Sequence, residues 1–78
     1  MKMRKFNLAQ ALRGQPVCTT DGKTVTITAF IMGQEYPIVG IVHYNGHKYS
    51  ESWTHSGRFY IGKRDSWDLA MVTEHENS

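Results

Sequence analysis

The chain has 78 residues, of which 40% are hydrophobic and 21% charged; this length and balance fit one small domain with a thin core and exclude an intrinsically disordered chain. Nine bases and three acids give residues 1–64 a formal charge of +6, and four acids give residues 65–78 a charge of −4. A basic body can attract an anionic partner, but the acidic tail can also neutralise that body, since no run of five or more like charges occurs.

We expect a single domain over residues 1–78, with frayed ends at 1–5 and 73–78. Cys18 is the only cysteine in the chain, so no intrachain disulfide can form, and a free thiol is typical of a reducing cytoplasm. The basic start of the chain is followed by no long apolar run. Neither a signal peptide nor a membrane-spanning helix is therefore predicted.

Residues 6–14, FNLAQALRG, predict a short N-terminal helix. Asn7 is a favourable N-cap residue, and Gly14 suits the end of the helix. Leu8 and Leu12 lie four residues apart, which gives the helix one narrow apolar stripe. A helix this short is unstable alone, so it must pack against the sheet predicted for the rest of the chain.

Three strands are predicted next, at residues 17–20, 24–32 and 36–44, separated by the turn sequences DGK and GQE. The second strand alternates, which places Phe30 with the threonines on one face. The opposite face would carry Val25, Ile27, Ala29 and Ile31. The third strand is apolar on both faces, as in a central strand covered on both sides.

Asn45-Gly46 predicts a two-residue type I′ turn, because both positions of that turn need a positive φ. The turn fixes the register of the two flanking strands, and it sets Glu51 opposite Gly40. We expect the core face of this hairpin to be the one with the larger side chains: Ile38, Val42, Tyr49 and Trp53. The other face would carry Val39, Ile41, His43, Lys48, Ser50 and Ser52.

The remaining segments predict a turn at residues 55–57, a strand at 58–62 and a short closing strand at 69–72. One short N-terminal helix followed by five or six antiparallel strands predicts an α+β, β-dominated fold. The sheet would be strongly bent or form a small open barrel. The helix would then plug one end of the barrel or cover one face of the sheet.

No metal site, cofactor or catalytic centre is predicted. The hairpin register puts His43 and His47 on opposite faces of the sheet, so they cannot share an ion, and one cysteine cannot build a thiolate zinc site. Cys18 is expected to be a small buried residue of the core. Ser56 follows His55 in a turn, where neither side chain is held firmly enough to form a catalytic dyad.

Glu51 deserves a separate hypothesis because it is flanked by aromatic residues. A carboxylate between Tyr49 and Trp53 on an apolar face could act as a general acid. We favour instead a structural role, in which Glu51 pairs with Arg58 or lies at an exposed rim, since no second carboxylate is placed beside it.

Aromatic and basic residues on a small sheet are also the composition of a base-stacking, nucleic-acid-binding surface, although a thin core needs the same aromatic residues. An aromatic residue beside arginine at an edge is equally typical of protein interfaces. Trp67 could serve such an interface, or fold back and seal the end of the barrel. We expect the binding surface to comprise His55, Ser56, Arg58, Tyr60, Arg64 and Trp67.

The segments FNLAQALRGQPVCTTDGK, YPIVGIV, SWTHSGRFYIG and SWDLAM together resemble a group of short proteins encoded by tailed phages and by prophages of enteric bacteria. The shared pattern is F-[DN]-L-x-x-A-x-x-G-x-P-V-x-T-x-D-G-[RK], then Y-P-[IL]-V-G and W-T-x-[DS]-G-R-[FY], and it spans residues 6–71. The chain departs from it at His55-Ser56, where an acidic turn is more usual. The resemblance implies a phage protein and carries over no catalytic residues.

These observations predict a non-enzymatic phage accessory protein in the host cytoplasm. It would bind and modulate an unidentified host protein, in a role such as counter-defence, and could form a homo-oligomer through its exposed sheet edges. The first alternative is a nucleic-acid-binding β-domain. The second is a nucleotide or small-ligand sponge that acts as an oligomer, with a pocket near Trp53 and Arg58.

Overall fold

The structure is a computed structural model that describes residues 2–73. Within those residues a single six-stranded antiparallel sheet has the strand order β1-β6-β2-β3-β4-β5. The elements follow one another as β1 (Met3–Lys5), α1 (Leu8–Leu12), β2 (Val17–Thr19), β3 (Thr24–Phe30), β4 (Ile38–Tyr44), β5 (His47–Trp53) and β6 (Leu69–Val72).

The predicted fold class is confirmed, because the described part of the chain is β-dominated and contains one short helix. The sheet is open: β1 and β5 are its two edges, and it does not close into a barrel within residues 2–73. The helix within those residues lacks the length and apolar character needed to cross a bilayer.

The N-terminal prediction needs correction, because residues 3–5 are not frayed. They form β1, which pairs antiparallel with β6, so that Arg4 lies opposite Met71 and Lys5 opposite Ala70. This pairing joins residues near the two ends of the chain, which local sequence patterns do not reveal. The fray predicted for residues 73–78 falls mostly outside the described residues, since only residue 73 of that range is described.

The helix is shorter than predicted but begins with the expected cap. Asn7 has an extended backbone, and its side chain accepts a hydrogen bond from the backbone N–H of Gln10 at 3.0 Å. Such a cap satisfies one of the N–H groups that have no partner inside the helix. Ala11 is the buried residue of the helix and belongs to the core cluster.

The β4–β5 hairpin has the predicted turn and register. Asn45 and Gly46 have φ angles of 52° and 75°, as a type I′ turn requires. The pairs run without interruption from Tyr44 opposite His47 to Ile38 opposite Trp53. Three of the four predicted core residues are fully buried, whereas Tyr49 remains exposed. On the other face of β4, Val39, Ile41 and His43 are half-buried, so that face is only partly covered.

The alternation predicted for β3 is interrupted. A β-bulge shifts the register between Ile27 and Ala29, which reverses the facing of the residues that follow. As a result Ala29 is exposed, and Phe30 packs against the core. The predicted common face of residues 25–31 is therefore wrong beyond the bulge.

Residues 58–62 do not form the predicted strand. They are part of a long connection between β5 and β6, in which the one isolated bridge joins Tyr60 to Lys63. The core lies on the sheet face that carries Trp53, where the largest fully buried side chains are hydrophobic: Trp53, Ile38, Met71 and Val42. Phe59 and Trp67 of the connection pack against this core. The connection, which was predicted to contain a further strand of the sheet, therefore covers one face of the sheet instead.

Candidate functional site

The predicted turn at residues 55–57 is formed and closed at its base by Thr54. The Thr54 N–H donates to the Arg58 carbonyl at 2.9 Å, and the Arg58 N–H donates to the Thr54 hydroxyl at 3.0 Å. Gly57 donates to the Thr54 carbonyl at 2.8 Å with a φ of 87°. These bonds hold His55 and Ser56 at an exposed tip.

Asp68 binds several groups of the connection that follows this turn. Its buried carboxylate accepts hydrogen bonds from the Phe59 N–H at 2.8 Å and the Asp65 N–H at 3.1 Å. It also pairs with the Arg58 guanidinium at 3.3 Å. A buried carboxylate is stable only with such partners, so Asp68 fixes where Arg58 lies.

Sequence reasoning missed Asp68. The spacing of Asp65 and Asp68 offered a signal, because aspartate side chains commonly accept bonds from backbone N–H groups nearby. The Asp65 carboxylate does so from the Trp67 N–H at 2.9 Å. The expected pair of Glu51 with Arg58 is not formed; Arg58 pairs with Asp68, and Glu51 stays half-buried opposite Gly40.

Two loops at one end of the sheet expose large hydrophobic side chains. The Ile61 N–H donates to the Tyr36 hydroxyl at 3.3 Å, which brings the β3–β4 loop against the β5–β6 connection. Two neighbouring clefts share Gln34, Glu35 and His55; Met32 lines one of them and Ile61 the other. We call the exposed hydrophobic residues of these two loops the apolar rim: Ile31 (48% exposed), Met32 (82%), Tyr60 (46%) and Ile61 (51%).

A second surface is a basic cleft of about 690 Å³. Basic side chains reach it from β1, from the turn after β5 and from the loop before β6. Its acidic residues are Asp65 and Asp68, and its hydroxyl groups are those of Thr20 and Ser56. We define the basic cleft by its four positively charged residues: Arg4, Lys5, Arg58 and Arg64.

Five of the six residues predicted as one binding surface are divided between these surfaces. His55 lies by the apolar rim, and Tyr60 belongs to it, with the Lys63 ammonium 4.7 Å from its ring centroid. Arg64 lines the basic cleft. Ser56 and Arg58 line both the basic cleft and the cleft beside Ile61.

Trp67 lies apart from the other five residues. It is half-buried and packs against the core, with its ring centroid 6.0 Å from that of Tyr49 and 5.7 Å from that of Phe59. The Lys23 ammonium lies 5.6 Å from the same ring. Of the two alternatives for Trp67, the geometry matches the one in which this residue folds back onto the core.

Other residues considered for chemistry have structural partners. His43 shares a hydrogen bond of 3.0 Å with the Thr26 hydroxyl. Cys18 is fully buried in the core region, and burial, with a smaller contribution from the charge of Asp21, raises the pKa of its thiol. Within residues 2–73, no three side chains of the His, Cys, Asp and Glu types are grouped closely enough to hold a metal ion.

The arrangement of a short open sheet, a buried aspartate under a long connection and three exposed clefts has no significant counterpart among solved structures. No curated protein matches the sequence significantly either. A protein family described as Haemophilus phage HP1 protein YO09 does match, over residues 3–76. That range includes the six strands of the sheet, the helix, the basic cleft and the two clefts beside the apolar rim. The chain is thus a member of the family of short phage proteins described as Haemophilus phage HP1 protein YO09.

Proposed function

We propose that this protein is a non-enzymatic phage accessory protein that binds a host protein through its apolar rim, in a role such as counter-defence. The observation that carries the proposal is the exposure of four large hydrophobic residues on two adjacent loops. Scattered single hydrophobic residues on a surface need no explanation, whereas larger exposed groups of them bordered by polar residues mark interaction sites.

The composition of the rim supports a protein partner. Methionine adapts its shape to the surface it meets, and Met32 is the most exposed large hydrophobic residue of the rim. Tyr60 and the adjoining Arg58 are of the types that contribute most to binding at protein interfaces. Glu35 and His55 at the neighbouring clefts would form the polar border that such interfaces have.

The test is capture of a host protein by the tagged phage protein, compared between two matched variants. Replacing Met32 and Ile61 by serine removes one exposed hydrophobic side chain from each loop of the rim, and Leu12→Ser removes an exposed hydrophobic side chain, 49% accessible, from the helix. We expect a host protein captured by the wild type to be lost with M32S/I61S and retained with L12S. Equal capture by all three proteins, or capture of no host protein from infected cells, would overturn the proposal.

We further propose that the protein forms a homodimer through β5. This strand is the longer edge of the sheet, and its outer side has no strand partner within residues 2–73. Pairing with a second copy would satisfy the outward N–H and C=O groups. In an antiparallel arrangement His47 of one strand and Glu51 of the other also share a sheet face, which allows a polar contact between the two copies.

The nucleic-acid alternative receives less support from the geometry. Trp53 is fully buried, and Phe59 and Trp67 pack against the core, so these aromatic faces are engaged inside the protein. The basic cleft supports an anionic partner of some kind. A steep loss of affinity with added salt for a single-stranded oligonucleotide would favour this alternative, and undetectable binding at low salt would remove it.

The location we propose is the host cytoplasm, where the free thiol of Cys18 would remain reduced. We also infer that the sequence pattern spanning residues 6–71 marks related proteins of tailed phages and prophages. Gly57 supports this inference, because the W-T-x-x-G-R part of the pattern coincides with the turn in which that glycine has a positive φ and little free space.

A further inference from the structure

The basic cleft brings together positive charges from parts of the chain that are far apart in sequence. Arg4 and Lys5 come from β1, Arg58 from the turn after β5, and Arg64 from the loop before β6. Four like charges around one concavity repel one another, so their convergence costs free energy unless an anion is bound there.

The two acidic residues of the cleft cancel only part of this charge. Asp68 is buried and already engaged with two backbone N–H groups and with Arg58. The Asp65 carboxylate is engaged with the Trp67 N–H. With four cationic and two anionic side chains, the cleft keeps a net positive charge.

Two of the cationic groups are also held in place. The Asp68 carboxylate holds the Arg58 guanidinium, and the side chain of Arg4 donates a hydrogen bond to the side-chain oxygen of Gln10. Guanidinium groups that are held before binding lose less conformational entropy when they bind a phosphate. Lys5 and Arg64 are exposed and remain available for the same anion.

The rest of the lining suits an organic group better than a bare ion. Phe6, Leu69 and Ala70 provide apolar surface, and Thr20 and Ser56 provide hydroxyl groups. A volume of about 690 Å³ lies within the range of small-molecule sites, about 300–1,000 Å³. We propose that the basic cleft binds a phosphate ester of mononucleotide size, with the phosphate between Arg58 and Arg64 and the organic group against Phe6.

Calorimetric titration of the whole protein with AMP and ATP tests this proposal, with inorganic phosphate and a short oligothymidylate as comparison ligands. The variant K5Q/R64Q removes two cleft charges without touching the bond between Arg58 and Asp68. The control is K2Q/K48Q, which makes the same charge change, with Lys48 on the opposite edge strand. Circular dichroism and thermal melting verify that both variants fold.

We expect AMP or ATP to bind the wild type, with affinity lowered at least about tenfold in K5Q/R64Q and within about twofold in K2Q/K48Q. Absence of binding up to millimolar nucleotide would overturn the proposal, as would equal losses in the two variants. Inorganic phosphate binding as tightly as AMP would show a simple anion site, and tighter binding of oligothymidylate would show a nucleic-acid site. Either result would replace the proposed ligand. The M32S/I61S variant should bind nucleotide normally, so the outcome of this test does not depend on the outcome of the test of the apolar rim.

Discussion

The indole N–H of Trp53 donates a hydrogen bond of 2.7 Å to the backbone carbonyl of Trp67. Trp53 is fully buried at the end of β5, and Trp67 lies in the loop that precedes β6. The bond therefore ties the hairpin to the long connection that covers it. It also satisfies the single polar atom of a buried indole, which would otherwise cost free energy.

Trp53→Phe should lower the free energy of unfolding by about 2 kcal/mol or more, because the variant loses this hydrogen bond and leaves a cavity. Denaturant titration measures the change. Trp67→Phe is the matched control, and we expect a smaller loss because Trp67 is only half-buried and its carbonyl is retained. In Trp53→Phe, the remaining Trp67 fluorescence should be partly shielded from acrylamide. Emission typical of a fully exposed indole would contradict the packing of Trp67 on the core.

The hairpin could be predicted because its determinants are local. Asn45-Gly46 fixes the turn, the turn fixes the register, and the register determines which residues share a face.

The connection from residue 54 to residue 68 could not be predicted in the same way. Its conformation depends on bonds between distant residues, including Phe59 N–H to the Asp68 carboxylate and Trp53 to Trp67. The sequence RFYIG has strong strand propensity, but propensity is outweighed when side chains have a core to cover. The same limit explains β1, whose pairing with β6 joins residues that are almost 70 positions apart.

The candidate site was predicted only in part. Of the residues that sequence reasoning selected, His55, Ser56, Tyr60 and Arg64 are exposed on loops, whereas Arg58 and Trp67 are half-buried. The basic cleft was not foreseen as a unit, because it needs β1 to stand beside the turn that carries Arg58. Charge composition shows how many basic residues there are, but their convergence depends on the fold.

Gly57→Ala should destabilise the protein more than Gly62→Ala, although both glycines have a positive φ, 87° and 82°. A side chain at either position is strained by the backbone conformation, at a cost of about 1–2 kcal/mol. A Cβ at Gly57 would also lie 2.8 Å from the Phe6 ring, whereas nothing lies within 4 Å of one at Gly62. We expect the added crowding to cost a further 1–3 kcal/mol, roughly. Equal melting temperatures for the two variants would show that Phe6 does not pack on the turn.

The buried thiol of Cys18 should make stability depend on alkaline pH. Burial, and secondarily the charge of Asp21, raises its pKa in the folded protein. Above the unfolded thiol's pKa of about 8.5, the unfolded chain releases a proton that the folded chain keeps. The free energy of unfolding should therefore fall as pH rises through this range. Denaturant titrations between about pH 7 and pH 10 measure the effect, and Cys18→Ala should show a shallower decline. Identical pH profiles would contradict the raised pKa.

Proline substitution can distinguish the N–H groups of β5 that point outward from those that bond to β4. A two-residue turn makes Tyr44 and His47 a hydrogen-bonded pair, so the bonded pairs alternate along the hairpin and include Gly40 with Glu51. Ser50, opposite Ile41, falls between them, and its N–H points away from β4. Proline is tolerated where the missing N–H faces outward on an edge strand.

Ser50→Pro should therefore retain the fold and weaken the proposed homodimer, whereas Glu51→Pro should lose a ladder bond to β4 and unfold more easily. Sedimentation velocity over a range of concentrations measures association, and thermal melting measures stability. A wild-type protein that stays monomeric at high concentration would contradict the dimer. If the wild type dimerises and Ser50→Pro dimerises equally well, the interface lies elsewhere. An antiparallel pairing centred on β5 would use the outward N–H of Ser50, the middle residue of the strand.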